Sequence, residues 1–370
     1  MAASTLTEVA RLAGVSPATA SRVLNGSARK PGQDIADRVR QAADSLGYIP
    51  NAQAQGLAKS SSGLIGLIVH DIADPYFAAI ARGVQEAARE QGRMVLLATT
   101  AGAPGDEKEA VAAFAARRAD SIVIAGSRSA RTEDSKGNAD LAAELDRYCR
   151  NGGQVAVVGH PVVGAAVTEG YHVVEVPNEE LAASLASELA ASRPDDDFVI
   201  IGGPDGLFTS DDRVRGFQQG LAEAGRPPAE VLRSSFNRAG GYEAGLTLAA
   251  RIKAAGPGGK TGQGNGVHGK ARGLCIFAVN DVMAIGAAAA LRSEGLRIPR
   301  DATIAGFDDI ETLRDFRPAL STVHLPLEDI GRIATRSAAG SAAAEADAAA
   351  APSPPVTGRV TLRRSTEMAS

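Results

Sequence analysis

TLTEVARLAGVSPATASRVLN, running from Thr5 to Asn25, reads as two short helices joined by a tight turn. Thr5 and Glu8 stand three residues apart as a capping box, so the first helix starts with two orphan backbone donors satisfied. Leu6, Val9, Ala10 and Ala13 recur at i, i+3, i+4 and i+7 and give one narrow apolar stripe. Gly14 permits the positive φ that turns the chain, and Ser16-Pro17 is a second start signal, an N-cap followed by proline at the first helical position. The second helix turns Ala20, Val23 and Leu24 inward. That leaves Pro17, Ala18, Ser21, Arg22 and Asn25 facing away from the partner helix, a small, polar and cationic surface suited to a DNA major groove. An αα-hairpin inside a helical bundle would share the pattern up to this point.

The next residues narrow the choice. Ile35, Val39, Ala42 and Leu46 mark a third helix that Gly47 can end in a left-handed cap, and Tyr48-Ile49-Pro50-Asn51 leads into Ala52–Ala58. VARLAGVSPATASRVLNG, then LGYIPN, then AQAQGLA ahead of GLIGLIV, together resemble the LacI/GalR family of bacterial transcription regulators. The likeness continues with gaps to Arg364-Ser365-Thr366.

That resemblance implies a helix-turn-helix domain over 1–50, a hinge helix and linker over 51–63, and a two-lobed effector-binding and dimerisation body over 64–366. It implies DNA contacts from Thr5, Ser16, Pro17, Ala18, Thr19, Ser21, Arg22, Asn25, Tyr48, Asn51, Ala54 and Leu57. The hinge helix of the family orders on DNA, where paired copies enter the minor groove and a leucine, here Leu57, wedges between base pairs. Ala52–Ala58 is short and contains Gly56, so on its own it would be a marginal helix. The implied partners are a pseudo-palindromic double-stranded operator, a second copy of the chain and a small sugar.

From Leu64 onward buried-strand runs alternate with amphipathic helices, the mark of parallel α/β sheets. GLIGLIV, MVLLA, SIVIA and VAVVG read as strands. Asp74-Pro75 caps a helix carrying Phe77, Ile80, Ala81, Val84 and Ala88, and further helices fall near 107–117 and 141–151. After about Pro161 the pattern restarts, with strands VVEV, FVII, LCIFAV and TIAGF and helices near 179–191, 211–224, 241–255 and 281–294. Two such runs predict two doubly wound lobes whose ligand lies at the strands' carboxyl ends, in the cleft between them. Family resemblance places the chain's crossings between lobes near 162–167, near 324 and within 337–355. The first lobe is then about 64–164 and 325–345, the second about 165–324 and 355–366. Ser127–Asn138, the glycine-rich 256–273 and Ser337–Pro355 read as loops.

A sugar offers hydroxyls that need convergent polar partners and an apolar ring face that stacks on aromatics. With 4% aromatic residues, the placement of each ring matters. Asp74, Tyr76 and Phe77 stand at a strand-to-helix corner; Arg213, Phe236, Asn280 and Asp308 lie at comparable corners further on and match the family's effector-binding loci. His160, after VAVVG, joins them. Asp281 reads as a helix cap and is left out. The chain departs from the family at Pro177-Asn178, where Asp-Asn is usual, at Leu181 in place of a frequent glycine, and at Leu325 in place of a frequent glutamine.

The 370 residues exceed one ordinary core. Net charge is −4, yet residues 1–59 carry +3 and the remainder −7, so the basic excess sits where phosphates would be met. Cys149 and Cys275 have no metal-ligand spacing, and no cofactor is implied. The start MAASTLTEVA has neither a charged n-region nor an apolar h-region, so a cytoplasmic protein is expected. An exported solute-binding protein would use the same cleft but not residues 1–59, and an α/β enzyme would need a catalytic constellation, of which none is apparent. The ending RRSTEMAS has no apolar heptad, so assembly is expected to stop at a homodimer.

Overall fold

The computed structural model describes residues 4–25, 31–49, 61–166, 168–255, 273–339 and 355–367. The expected hinge with Asn51, Ala54 and Leu57, most of the glycine-rich 256–273 loop and the core of the 337–355 tract lie outside them. The chain divides into two units, Met1–Gly63 and Leu64–Ser370.

In the first unit α1 (Leu6–Ala13) starts at Thr5, whose Oγ1 accepts from the Glu8 N–H at 3.3 Å while its own N–H donates to Glu8 Oε2 at 2.8 Å. Gly14 takes φ +66° and the chain turns into α2 (Pro17–Asn25), capped by Ser16 Oγ accepting from the Thr19 N–H at 3.1 Å. After α3 (Gln33–Ser45), Gly47 at φ +58° closes the helix and the Tyr48 N–H returns to the Ala43 carbonyl. Val9, Ala10, Ala13, Ala20, Val39, Ala42 and Ala43 form one small core, with Val23, Leu24 and Tyr48 packed on it. These side chains are mostly Ala and Val, so the three helices approach closely.

The second unit holds two parallel sheets. The first has the order β2-β1-β3-β4-β5, built from β1 (Leu64–Val69), β2 (Met94–Thr99), β3 (Ser121–Ala125), β4 (Gln154–Val158) and β5 (Tyr171–Val174). Its helices are α4 (Pro75–Glu90), α5 (Pro104–Ala116) and α6 (Ser135–Arg150). The second sheet, β7-β6-β8-β9, uses β6 (Asp197–Gly202), β7 (Glu230–Arg233), β8 (Leu274–Ala278) and β9 (Thr303–Ala305), with α7 (Asn178–Ser192), α8 (Phe208–Glu223), α9 (Arg238–Ala255) and α10 (Asp281–Ser293). β10 (Thr322–His324) and β11 (Arg359–Thr361) pair antiparallel, Val323 opposite Val360. Between them α11 (Leu327–Ser337) returns to lie along α4. A Cβ on Gly83 would stand 1.9 Å from the Glu328 carbonyl oxygen, so only glycine allows α4 and α11 to approach this closely.

Several expectations are corrected. The strand read as VVEV begins two residues earlier and pairs with β4, Val157 opposite Val173, so it closes the first sheet instead of opening the second. The first crossing therefore comes after Val174, not near 162–167. Pro161 looks like a boundary in the sequence, but the chain after it only turns back to add an edge strand to the first sheet. The stretch Ser127–Asn138 is not all loop: a 3-10 turn at Thr132–Asp134 runs directly into α6 from Ser135. EVLR at Glu230–Arg233 carries no strand signal in the sequence, yet it forms a short, half-exposed edge of the second sheet.

Candidate ligand cleft and DNA-facing helix

On α2 the side chains of Pro17, Ala18 and Arg22 are exposed, while Thr19 and Ser21 are half-buried. Ser16 and Thr19 are engaged with each other, their hydroxyls 2.9 Å apart. Arg22 therefore offers the long donor-rich side chain on this face, with small neighbours that let it approach a partner closely. Thr5 is committed to the capping box, and the Tyr48 ring packs on the small core. Asn25 ends the helix.

The cleft of the second unit encloses about 390 Å³. From the first lobe it receives Asp74, Tyr76 and Phe77, because the corner between β1 and α4 opens there. Asp74 caps α4, its Oδ1 accepting from the Tyr76 N–H at 2.9 Å. The Tyr76 and Phe77 rings meet edge-on at 5.1 Å, and Phe77 lies 5.4 Å from the His70 ring. From the second lobe come Arg213, Phe236, Asn280 and Asp308. Asn280 caps α10 by accepting from the Met283 N–H at 2.8 Å, which leaves its amide nitrogen as the group it can offer a ligand. The Phe236 ring lies over Gly203, where a Cβ would come within 2.9 Å of it.

Arg213 is the most constrained side chain of the site. It is buried, with Nε donating to Asn178 Oδ1 at 2.9 Å, Nη1 to the Val279 carbonyl at 2.8 Å, and Nη2 2.8 Å from Asp308 Oδ1. Its guanidinium stacks 3.9 Å from the centre of the Phe307 ring. The Asp308 pair is close, yet Oδ1 receives no well-aligned hydrogen bond and is a buried acceptor still open. Burial pushes the Asp308 carboxyl up to about 7 despite Arg213, and Asp74 across the cleft adds to the rise. Desolvation likewise raises the Tyr76 phenol, with the charge of Asp308 contributing. Charges of both lobes thus act on one small volume.

Residues 5–51 match the model of bacterial regulatory proteins of the lacI family. Residues 62–244 match periplasmic binding proteins and the sugar binding domain of the LacI family, and residues 192–366 a periplasmic binding protein-like domain. The chain belongs to the LacI family. It is 28% identical over 334 residues to the HTH-type transcriptional repressor PurR of Haemophilus influenzae, covering 89% of this chain and 88% of that one. Identity to the PurR of Vibrio parahaemolyticus is 26% over 331 residues, 89% of each chain. Among solved structures, the lac repressor dimer bound to operator and the anti-inducer ONPF shares the fold with a TM-score of 0.75 at 21% identity, over 99% of this chain and 100% of that one. A transcriptional regulator CelR–cellobiose complex does so with a TM-score of 0.64 at 24% identity, over 98% and 99%.

In this LacI-family chain one expected residue is not where the sequence reading put it. His160 does not line the cleft; its Nε2 stands 2.7 Å from Asp212 and its ring is 5.3 Å from Phe208. It joins the two lobes beside the cleft. Burial works against ionisation of Asp212, but His160 and Arg215 outweigh it and hold the carboxyl low. Asp281 is a second correction. Asn280, not Asp281, caps α10, and the fully buried Asp281 accepts from the Thr322 hydroxyl at 2.7 Å and the Ile310 N–H at 3.0 Å. Burial, with Asp308 adjacent, raises its carboxyl well above the usual range.

Sequence reasoning also missed several cleft residues. His70, Asp71, Ser127, Ser129 and Arg131 come from the first lobe, and Asn178 and Asn237 from the second. The strand-end rule could have found His70, which directly follows β1. Behind it lies a buried pair: Arg128 holds Glu107 through two hydrogen bonds of 2.5 and 3.0 Å, and His70 Nε2 is 3.6 Å from the same carboxylate. Burial opposes ionisation of Glu107, but Arg128 and His70 override it and hold the carboxyl near 2. The departures at Leu181 and Leu325 meet in space, both against Gly358 where the chain crosses between lobes. There, apolar packing stands where the family often has a polar residue. A wider hollow of about 820 Å³ opens near Arg82, Glu311 and Arg363, but among the described residues no Phe or Tyr lines it, and Arg82, Arg332 and Arg363 are already paired with carboxylates.

Proposed function

We propose that this LacI-family regulator is a transcriptional repressor that binds a pseudo-palindromic operator as a homodimer and is controlled by a sugar or sugar derivative bound between its lobes. The observation that carries the reading is the cleft itself: Tyr76 and Phe77 supply apolar ring faces, while Asp74, Asn280 and Asp308 supply polar groups, and the contributions come from both lobes. A ligand that touches both lobes must favour one arrangement over another, which is what coupling to DNA requires. The relatives' names as repressors, and the cellobiose named with the CelR structure, support the same reading.

Arg22 is assigned the bidentate guanine contact, and Pro17 and Ala18 reading by shape or methyl contact. The edge strand β2, with Met94 and Leu97 exposed, is the surface offered to a second copy; the dimer named for the lac repressor structure supports assembly as a dimer. The reading contains no catalytic step. Among the described residues no helix is long and apolar enough to cross a membrane. Sequencing the DNA retained by the purified protein, then repeating the selection with a panel of sugars, tests the proposal. Recovery of a two-fold symmetric site whose retention changes with one sugar supports it; recovery of random DNA contradicts it.

A further inference from the structure

We infer that the cleft excludes anions, so that its effector is a hydroxyl-donating molecule carrying neither phosphate nor carboxylate. The inference rests on reading the cleft as the effector site, and it concerns which members of the sugar class can enter. Anions are held in proteins mainly by guanidinium or ammonium groups and by open helix N-termini. Among the described residues lining this cleft, the cations are Arg131 and Arg213, and both are in use. Arg213 donates from Nε to Asn178 and from Nη1 to the Val279 carbonyl, and its Nη2 is ion-paired with Asp308 at 2.8 Å. Arg131 is likewise occupied: Nη1 and Nη2 pair with Glu133 and Asp134, and Nε lies 3.1 Å from Ser129 Oγ. His70, were it protonated, would already face Glu107.

Of the helix starts around the cleft, two are closed by a side-chain cap; α7 and α8 have no such cap, though at α8 the Phe208 and Thr209 N–H groups donate to the Arg128 carbonyl and the Ser127 hydroxyl. Asp74 caps α4 and Asn280 caps α10. The first turns of α7 and α8 carry Glu179, Glu180 and Asp211. Carboxylate acceptors remain: Asp308 Oδ1 faces Arg213 Nη2 at 2.8 Å without a well-aligned hydrogen bond, and only one carboxylate oxygen of Asp74 is used by the cap. The main chain at Asp308 is fixed, its N–H and carbonyl bonded to Val323 and Leu325. Hydroxyls entering the cleft can donate to Asp74 and to Asp308, whose charges act on each other across the lobes. A phosphate or carboxylate entering there would bring a further negative charge beside Asp74 and the Arg213–Asp308 pair in a poorly solvated space.

The test is calorimetry on the full chain with matched probes at about 0.1 M salt: cellobiose, ribose and glucose, each neutral parent set against its phosphate ester, with glucuronate as the carboxylate. A neutral member should bind at least tenfold more tightly than its anion, and Asp74→Asn, which keeps the cap, should narrow that gap to severalfold. An anion binding as tightly as its parent overturns the inference while leaving the sugar reading intact. If no sugar binds but adenine does and its mononucleotide does not, the sugar reading and the hydroxyl-donor half of the inference fall, and the exclusion of anions stands. Inorganic phosphate provides a check that needs no known effector. It should move the melting temperature no more than sodium chloride of equal ionic strength, and a phosphate-specific rise abolished by Arg213→Gln would overturn the inference.

Discussion

Arg213 and Asp308 meet 2.8 Å apart in the buried floor of the cleft, and the arginine is held there by Asn178, the Val279 carbonyl and the face of Phe307. A pair this dry is expensive to break from one side, because the partner is left as an uncompensated buried charge. Arg213→Ala should therefore destabilise the 64–370 unit by about 3–5 kcal/mol in urea titration. Adding Asp308→Ala should restore part of that loss, and strict additivity of the two substitutions would contradict the coupling.

Glu107 sets a pH window. Its carboxyl lies near 2 when folded against an ordinary 4.5, so its contribution is present above pH 4.5 and is lost as pH falls through about 2. The shift corresponds to at most about 3 kcal/mol. Urea midpoints should show Glu107→Gln well below the parent at pH 7 and the gap closing towards pH 3. A constant gap would remove the ion pair with Arg128 as its cause.

Asp308 acts with the opposite sign. Its carboxyl is raised from 3.8 to about 7, so it favours the folded state most below pH 3.8, and that contribution declines as pH rises to about 7. Comparing the parent with Asp308→Asn across pH 4–8 should show the parent losing stability relative to the variant as pH rises. Parallel curves would contradict the assignment.

On DNA, Arg22→Ala should lower affinity for a selected operator by about 1–3 kcal/mol and relax preference at one base pair per half-site. Unchanged discrimination in a binding-site selection would remove Arg22 from the reading face.

For assembly, Leu97→Lys on β2 should shift the protein from dimer to monomer in light scattering, since it places a charge on the exposed edge offered to the partner copy. Persistence of the dimer would move the interface elsewhere.

The headpiece was legible because its signals are local: a capping box, a left-handed glycine and Ser-Pro each fix a helix end within a few residues. Cleft residues at strand-to-helix corners, such as Asp74 and Asn280, were legible for the same reason. Membership of β5 was not, since a short apolar strand looks alike whichever sheet it joins, and only its pairing with β4 decides. His160 and Asp281 failed for a related reason. Each is paired with a residue from a distant segment, Asp212 and Thr322, and no short-range pattern announces such a partner. Arg128 and Glu107 form a buried pair that in sequence reads as two ordinary surface charges.

The most direct measurement is calorimetry of a sugar panel against the parent, Asp308→Ala and Phe236→Ala, run beside operator binding by the same samples. The account predicts that one sugar binds the parent and changes its operator affinity by about 1–3 kcal/mol, and that both substitutions weaken that sugar at least tenfold. A sugar that binds all three proteins equally well would place the effector outside this cleft and contradict the account.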